Sequence, residues 1–252
     1  MAIQSVKRAT DIISLFSSSQ PSLGVTQIAA ALGLNKATAW GLVTTLEKQG
    51  FLQQDPETLK YGIGSKLFEL GMVYAGNLDI NAKSSRLVQG LASRTGLVAR
   101  VGIWDSGSIL ITLVALPKSE DSLSHQLGPR VPAYCSGIGK AVLPFLPPEE
   151  IEKYLGGLEF VRHARATILT AEELLADFEQ TRERGYAISS EEMIPGLAAF
   201  GAPVFSRSRR VLGGISLSDA PANLLGKNRD TLADDLMRTA AEISRQMGYY
   251  TT

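Results

Sequence analysis

The chain has 252 residues, of which 44% are hydrophobic and 20% charged, enough apolar material for a buried core. Lysine plus arginine equals aspartate plus glutamate at 25 each, so no global charge bias points to nucleic acid or to a membrane surface. One cysteine excludes an internal disulfide, no apolar run reaches the roughly 18 residues that span a bilayer, and MAIQSVKRATDII carries no apolar leader region; the expectation is a cytoplasmic protein without a membrane partner.

Val6, Ala9, Ile12, Ile13 and Phe16 fall on one helical face before SSSQPSLG breaks the pattern. Thr26 is placed to cap a short second helix, QIAAAL, which Gly33 ends, and Asn35 to cap a third that runs to Gly50. Two helices joined by Gly33-Leu34-Asn35 have the spacing of a helix-turn-helix. Phe51–Gln53 and Lys60–Ile63 then read as two short strands around Asp55-Pro56-Glu57, the shape of a wing.

Leu67, Leu70 and Tyr74 continue a helical period from Ser65 to about Gly76 as a linker helix, and Asp79 restarts a helix with Leu87 and Leu91 inward. After Gly96, LVARVGIW and SILITLVAL read as strands paired around Asp105-Ser106-Gly107. Helices follow at GKAVLPFL, after Pro148, and behind the capping box Thr170 to Glu173. YAISS, AAFGAPVF and VLGGISLS are further strands, and Asn228 to Met247 forms a closing helix. The predicted fold class is α+β, with a head over 1–64, a linker helix over 65–78 and an α/β body over 79–252.

On a helical wheel, Ala39, Leu42, Val43 and Leu46 form the packing stripe of the third helix. The opposite side carries Ala37, Gly41, Thr44 and Lys48, flanked by Trp40 and Thr45, where a merely solvated face would favour Glu, Lys or Gln. Gly41 costs about 1 kcal/mol against Ala in mid-helix, and close approach to a groove wall is one use for it. Asn35, Lys36 and Thr38 stand at the helix start, where recognition helices reach bases and phosphates. The residues alone leave a second option open, in which three helices only cap the body and Trp40 anchors an interface.

Several co-linear segments resemble the IclR-type bacterial transcriptional regulators: SVKRATDIISLF, VTQIAAALGLNKATAWGLVTTLEKQGFL, YGIGSKLFELG, VPAYCSGIGKAVLPFL and RGYAISSEEMIPGLAAFGAPVF. The resemblance runs nearly end to end. It implies a winged helix-turn-helix joined to a GAF-like effector-binding domain, working as a homodimer or dimer of dimers on a palindromic or pseudo-palindromic double-stranded DNA operator. The DNA-facing set is then Thr26, Asn35, Lys36, Ala37, Thr38, Trp40, Gly41, Thr44, Thr45, Lys48 and, on the wing, Lys60. The chain departs from the family's common serine at Ala37 and arginine at Gly41, and from histidine at Tyr134, threonine at Ser136, aspartate near Ser189 and cysteine at Ala199.

The resemblance also implies a pocket for a small organic acid at Leu123, Val131, Gly137, Ile138, Ser189, Ala199, Ser216 and Ser218, with Tyr134 beside it. Ser216 and Ser218 alternate with Ile215 and Leu217, so both hydroxyls face one side of their strand, and SGIG opens a helix whose free N–H groups favour an anion. Small residues at Ser189 and Ala199, with an aromatic wall from Tyr134, suggest room for an aromatic or otherwise bulky acid. The competing expectation is that Gly137 and Gly139 serve tight packing and the serines line an exposed face. Lys140 is expected to brace structure, and Arg100 and Arg130 to form surface salt bridges before serving an acid.

No enzyme and no cofactor are expected. His125 and His163 stand in no nucleophile motif, SGIGK lacks the first glycine and the final hydroxyl of a P-loop, and one cysteine with two distant histidines offers no metal-ligand spacing. Adjacent Glu191 and Glu192 point to opposite faces of a strand, and solvated or helix-bracing roles are the default for them. The rival reading is a small-molecule-binding or hydrolytic domain with an N-terminal assembly module.

Overall fold

The computed structural model describes residues 3–117 and 128–250. Its contacts divide the chain into two compact units, Met1–Asn77 and Leu78–Thr252.

In the first unit, α1 (Gln4–Ser14), α2 (Val25–Ala31) and α3 (Lys36–Lys48) pack around Ile12, Leu23, Ile28, Val43 and Leu46. Gly33 takes φ +62°, the left-handed conformation that turns the chain between α2 and α3 without a side-chain clash. The wing is β1 (Leu52–Gln54) paired antiparallel with β2 (Tyr61–Ile63). Asp55 closes its tip by accepting from the backbone N–H groups of Glu57 and Thr58 and from the Thr58 hydroxyl. Leu23 adds a bridge to Tyr61 through reciprocal backbone bonds of 2.9 and 2.8 Å, a third strand position that local periodicity does not announce. The unit ends in α4 (Ser65–Gly76), none of whose residues is buried.

Two local details differ from expectation. The second helix starts at Val25 with Gly24 at its cap, where the Gly24 N–H donates to the Gln27 side chain, so Thr26 sits exposed in the first turn and caps nothing. At the box before the helix that follows residue 170, the Thr170 hydroxyl accepts from Glu173 N–H as expected, but the Glu173 carboxylate takes the N–H of Leu169.

The second unit is built on a six-stranded antiparallel sheet in the order β5-β4-β3-β8-β7-β6. Its strands are β3 (Val98–Asp105), β4 (Ser108–Ala115), β5 (Arg130–Pro132), β6 (Ala187–Ser190), β7 (Ala198–Phe205) and β8 (Val211–Asp219). Helices α5 (Asp79–Thr95) and α10 (Arg229–Gln246) cover one face, where Val88, Leu91, Leu236 and Ile243 meet Val101, Phe200, Ile215 and Leu217. Helices α6 (Gly137–Val142), α7 (Pro148–Gly156) and α8 (Ala171–Arg184) belong to a separate cluster built on Ile109, Val131, Ile138, Leu174 and Phe178, while the short α9 (Pro221–Leu224) precedes α10. Helix α6 lies tight on β7, since a Cβ at Gly201 would overlap the Gly137 carbonyl. This is the α+β architecture expected, with a sheet buried on both sides.

Candidate functional site

Helix α3 turns Ala39, Val43 and Leu46 into the core and leaves its other side open. Lys36, Ala37, Gly41, Thr45 and Lys48 are exposed, Thr38 and Thr44 half-buried, and Trp40 is 59% exposed. A Cβ built on Gly41 meets nothing within 4 Å, so the glycine is not required by the packing of its own domain. Asn35 caps the helix, its Oδ1 accepting from Thr38 N–H at 2.8 Å. The Thr45 hydroxyl donates to the Gly41 carbonyl at 2.8 Å, which leaves its oxygen to act outward only as an acceptor. Lys60 is exposed next to the wing strand β2. The slim hydroxylated face is therefore accessible, with a lysine at each end.

The second unit holds a pocket between the start of α6 and the sheet. Its floor crosses four strands: Arg100 on β3 pairs with Ser216 on β8, Ser218 pairs with Ala199 on β7, and Ala199 with Ser189 on β6. Val131, Gly137, Ile138, Met193, Ile194 and Leu197 also line it. The open space is about 30 Å³, close to one water molecule's share of the liquid. The Ser189 hydroxyl donates to the Cys135 carbonyl at 2.8 Å, and the Ser136 hydroxyl accepts from Gly139 N–H at 3.3 Å, so both also hold the walls together.

Arg100 is 3% exposed, and its Nη1 donates to the Ser218 hydroxyl at 2.6 Å. Burial lowers its guanidinium to about 10, still well above neutrality, so it stays charged. The surface ion pair expected for Arg100 is instead the fate of Arg130, which bonds Asp105. The available signal was an arginine inside the otherwise apolar run LVARVGIW, two positions from Gly102 and so on the same strand face. Cys135 also lines the pocket, its thiol pushed up to about 12 by burial, which makes it an inert wall.

Of the sequence-predicted pocket residues, Val131, Gly137, Ile138, Ser189, Ala199, Ser216 and Ser218 come together. Leu123, like His125, lies outside the described residues. Tyr134 is a correction. It sits in the turn before α6, buried against Phe160, with its hydroxyl donating to the Val161 carbonyl at 2.7 Å, and forms no wall of the pocket.

Lys140 braces the fold, as expected, but its partners overturn the default for Glu192. The ammonium is 2% exposed and bonds Glu192 at 2.6 Å, Asp177 at 3.0 Å and the Ile188 carbonyl at 2.7 Å. Glu192 is thus a buried ion-pair partner; burial raises its carboxyl, and the Lys140 charge opposes that shift. Glu191, by contrast, is exposed and accepts from Gly196 N–H. The triad ties α6, α8 and the 191–197 turn behind the pocket wall.

An accessible helix-turn-helix and wing, followed along the chain by a sheet domain with a buried polar pocket, define a DNA-binding transcriptional regulator with a C-terminal ligand-binding domain. Residues 5–56 match the IclR helix-turn-helix domain and residues 72–245 the bacterial transcriptional regulator IclR C-terminal domain. The chain belongs to the IclR family. It is 33% identical over 251 residues to the HTH-type transcriptional regulator XynR of Escherichia coli K12, covering 98% of both chains. An IclR transcriptional regulator from Alicyclobacillus acidocaldarius has a matching structure, with TM-score 0.85 and 25% identity over 98% of this chain and all of that one. An IclR homolog from Microbacterium hydrocarbonoxydans, solved in complex with 4-hydroxybenzoate, shares the fold at TM-score 0.82 and 17% identity, over 96% of this chain and 98% of that one.

Proposed function

We propose that the chain is a cytoplasmic, non-enzymatic regulator whose DNA affinity responds to a small organic acid held in the Arg100–Ser218 pocket. In this reading the open side of α3, with Asn35, Lys36, Ala37, Thr38, Trp40, Gly41, Thr44, Thr45 and Lys48, enters the major groove. Lys60 of the wing lies near the adjacent phosphates, and Thr26 marks the approach of α2 to the backbone. The carrying observation is the bare surface at Gly41 beside an exposed Trp40, where a helix serving only its own core would show neither.

A second copy of the chain completes the DNA reader, because two heads related by a two-fold axis match the two halves of a palindrome. Support comes from the apolar residues that α1 and α4 leave outside the core: Ile3, Val6, Phe68, Met72 and Val73 are each more than half exposed in the single chain. Residues 65–78 then serve as the linker between a head over 1–64 and a body over 79–252, and acid binding acts by favouring one arrangement of paired heads over another.

The acid is small, or the 191–197 turn yields to admit it, because the open space holds little more than a water. A protein of this fold holds 4-hydroxybenzoate. In this chain a ring would have to displace Met193, Ile194 or Leu197, since Tyr134 offers no aromatic wall.

The test begins with genomic fragments recovered on the full chain. Those fragments are then titrated with the full chain and with a chain lacking residues 1–77, alongside calorimetry of both with candidate acids. Loss of DNA binding with retained acid binding in the shortened chain is the expected result. Substrate turnover by the shortened chain, or DNA retention without the head, would sink the assignment.

A further inference from the structure

Between its terminal lysines, the exposed residues of α3 are Ala37, Trp40, Gly41 and Thr45. Resting on the reading of that side as the one that meets DNA, these four residues decide what kind of base contact the middle of the helix makes. Arginine, asparagine, glutamine and carboxylates read base edges by hydrogen bonds, and none of them is in the set. Asn35, just before the helix, has its Oδ1 committed to the Thr38 N–H, and the Thr45 hydroxyl donates to the Gly41 carbonyl. What the set offers a groove is therefore mostly carbon: the methyl groups of Ala37 and Thr45, and the indole of Trp40, which is more than half exposed. Ala37 and Trp40 stand three residues apart and so are neighbours on the helix surface, with Gly41 adding no side chain beside them.

We propose that Trp40 is the specificity-determining residue of the head and reads thymine by its 5-methyl group, packing the indole against that methyl in the major groove. Thymine alone among the four bases turns a carbon group into that groove. Over it, the ring and the methyl remove each other's apolar surface from water. Over a G·C pair the same ring strips water from the polar edges of both bases, and its face returns no hydrogen bond. Each half-site of the operator therefore requires a thymine under Trp40, and G·C pairs are rejected there by desolvation. Lys36 and Lys48, at the two ends of the helix, add affinity through phosphates without adding sequence preference.

The experiment uses the full chain and the shortest duplex that retains binding among the genomic fragments recovered on it. Thymines are replaced one at a time by deoxyuridine, which keeps the pairing and the O4 acceptor and lacks only the methyl, so a hydrogen bond from the indole N–H survives the change. Anisotropy titrations are expected to find a thymine in each half-site whose replacement weakens binding about fourfold, the worth of one buried carbon group. Exchanging that pair for G·C costs about tenfold or more. Trp40→Ala removes the deoxyuridine effect, so that the variant binds the two duplexes alike, and leaves the salt dependence unchanged because an indole releases no counterion. Trp40→Phe keeps part of the effect. A tryptophan that only held the helix in place would weaken binding to both duplexes by one factor and leave their ratio intact. The proposal is overturned if no thymine responds to deoxyuridine, if the ratio survives Trp40→Ala, or if Trp40→Ala changes the oligomeric state in sedimentation without DNA. Ala37→Glu tests the underlying reading separately, since an acidic residue suits the first turn of a helix but repels phosphates. If it abolishes binding to every duplex, α3 faces DNA whatever Trp40 reads; if binding persists, both readings fall.

Discussion

Replacing Lys140 with Met removes the single cation of the buried triad and keeps most of its length. Glu192 and Asp177 are then left facing each other across a site in which their side chains are only 11% and 15% exposed. Breaking a buried ion pair by deleting one partner costs about 3–5 kcal/mol, because the remaining charge has neither water nor a counterion. Asp177 Oδ2 and Glu192 Oε2 already bond nothing among the described residues, so the carboxylates have little local compensation to draw on. For a unit the size of Leu78–Thr252, each kcal/mol is about 2–4 °C, giving an expected drop of about 6–20 °C. Scanning calorimetry of the C-terminal transition at pH 7 measures it. The deficit shrinks as pH falls, because protonating the Glu192 carboxyl, which burial raises, removes part of the uncompensated charge. A drop under about 2 °C at pH 7, or a deficit that grows in acid, would refute the electrostatic account and leave Lys140 as a space-filling side chain.

Glu192→Gln probes the same site through linkage. Burial raises the folded carboxyl above its ordinary value, so the folded chain holds that proton more firmly than the unfolded one, and its contribution is greatest in acid. The wild type therefore loses stability relative to Glu192→Gln as pH rises from the ordinary carboxylate range through the raised value; a flat difference across pH 4–7 speaks against it. Lys36→Ala weakens binding to all DNA sequences about equally and lowers the slope of log affinity against log salt by about 1, measured by anisotropy in a potassium chloride series. An effect confined to one base position would instead make Lys36 a base reader. Gly41→Arg is accepted without clash, stabilises α3 by up to about 1 kcal/mol, and steepens the salt dependence of DNA binding; a lowered melting temperature of the head would show that the position is less open than its surroundings indicate.

The head was readable because its signals are local. Asn35 bonds its own helix three residues on, Asp55 folds the wing tip onto residues two and three ahead, and the apolar period of α3 names its core side correctly. What the sequence hid depends on pairs distant along the chain. Leu23 bridges Tyr61, Lys140 meets Glu192, and Arg100 meets Ser218, none within one helix or hairpin. Strand alternation did predict that Ser216 and Ser218 share a face, and it would have placed Arg100 on a definite face too, but not which face the pocket occupies. Tyr134 failed for a different reason: it lies in a turn, where no period fixes the direction of a side chain.

The floor of the cavity is woven from residues 100, 189, 199, 216 and 218, so its chemistry belongs to the weave and not to any exchangeable loop. Grafting one segment from a cousin would import a single thread of the recognition pattern and tear the ladder bonds on either side. Taste for a new molecule must therefore shift by one inward-facing side chain at a time, with the backbone as a fixed loom.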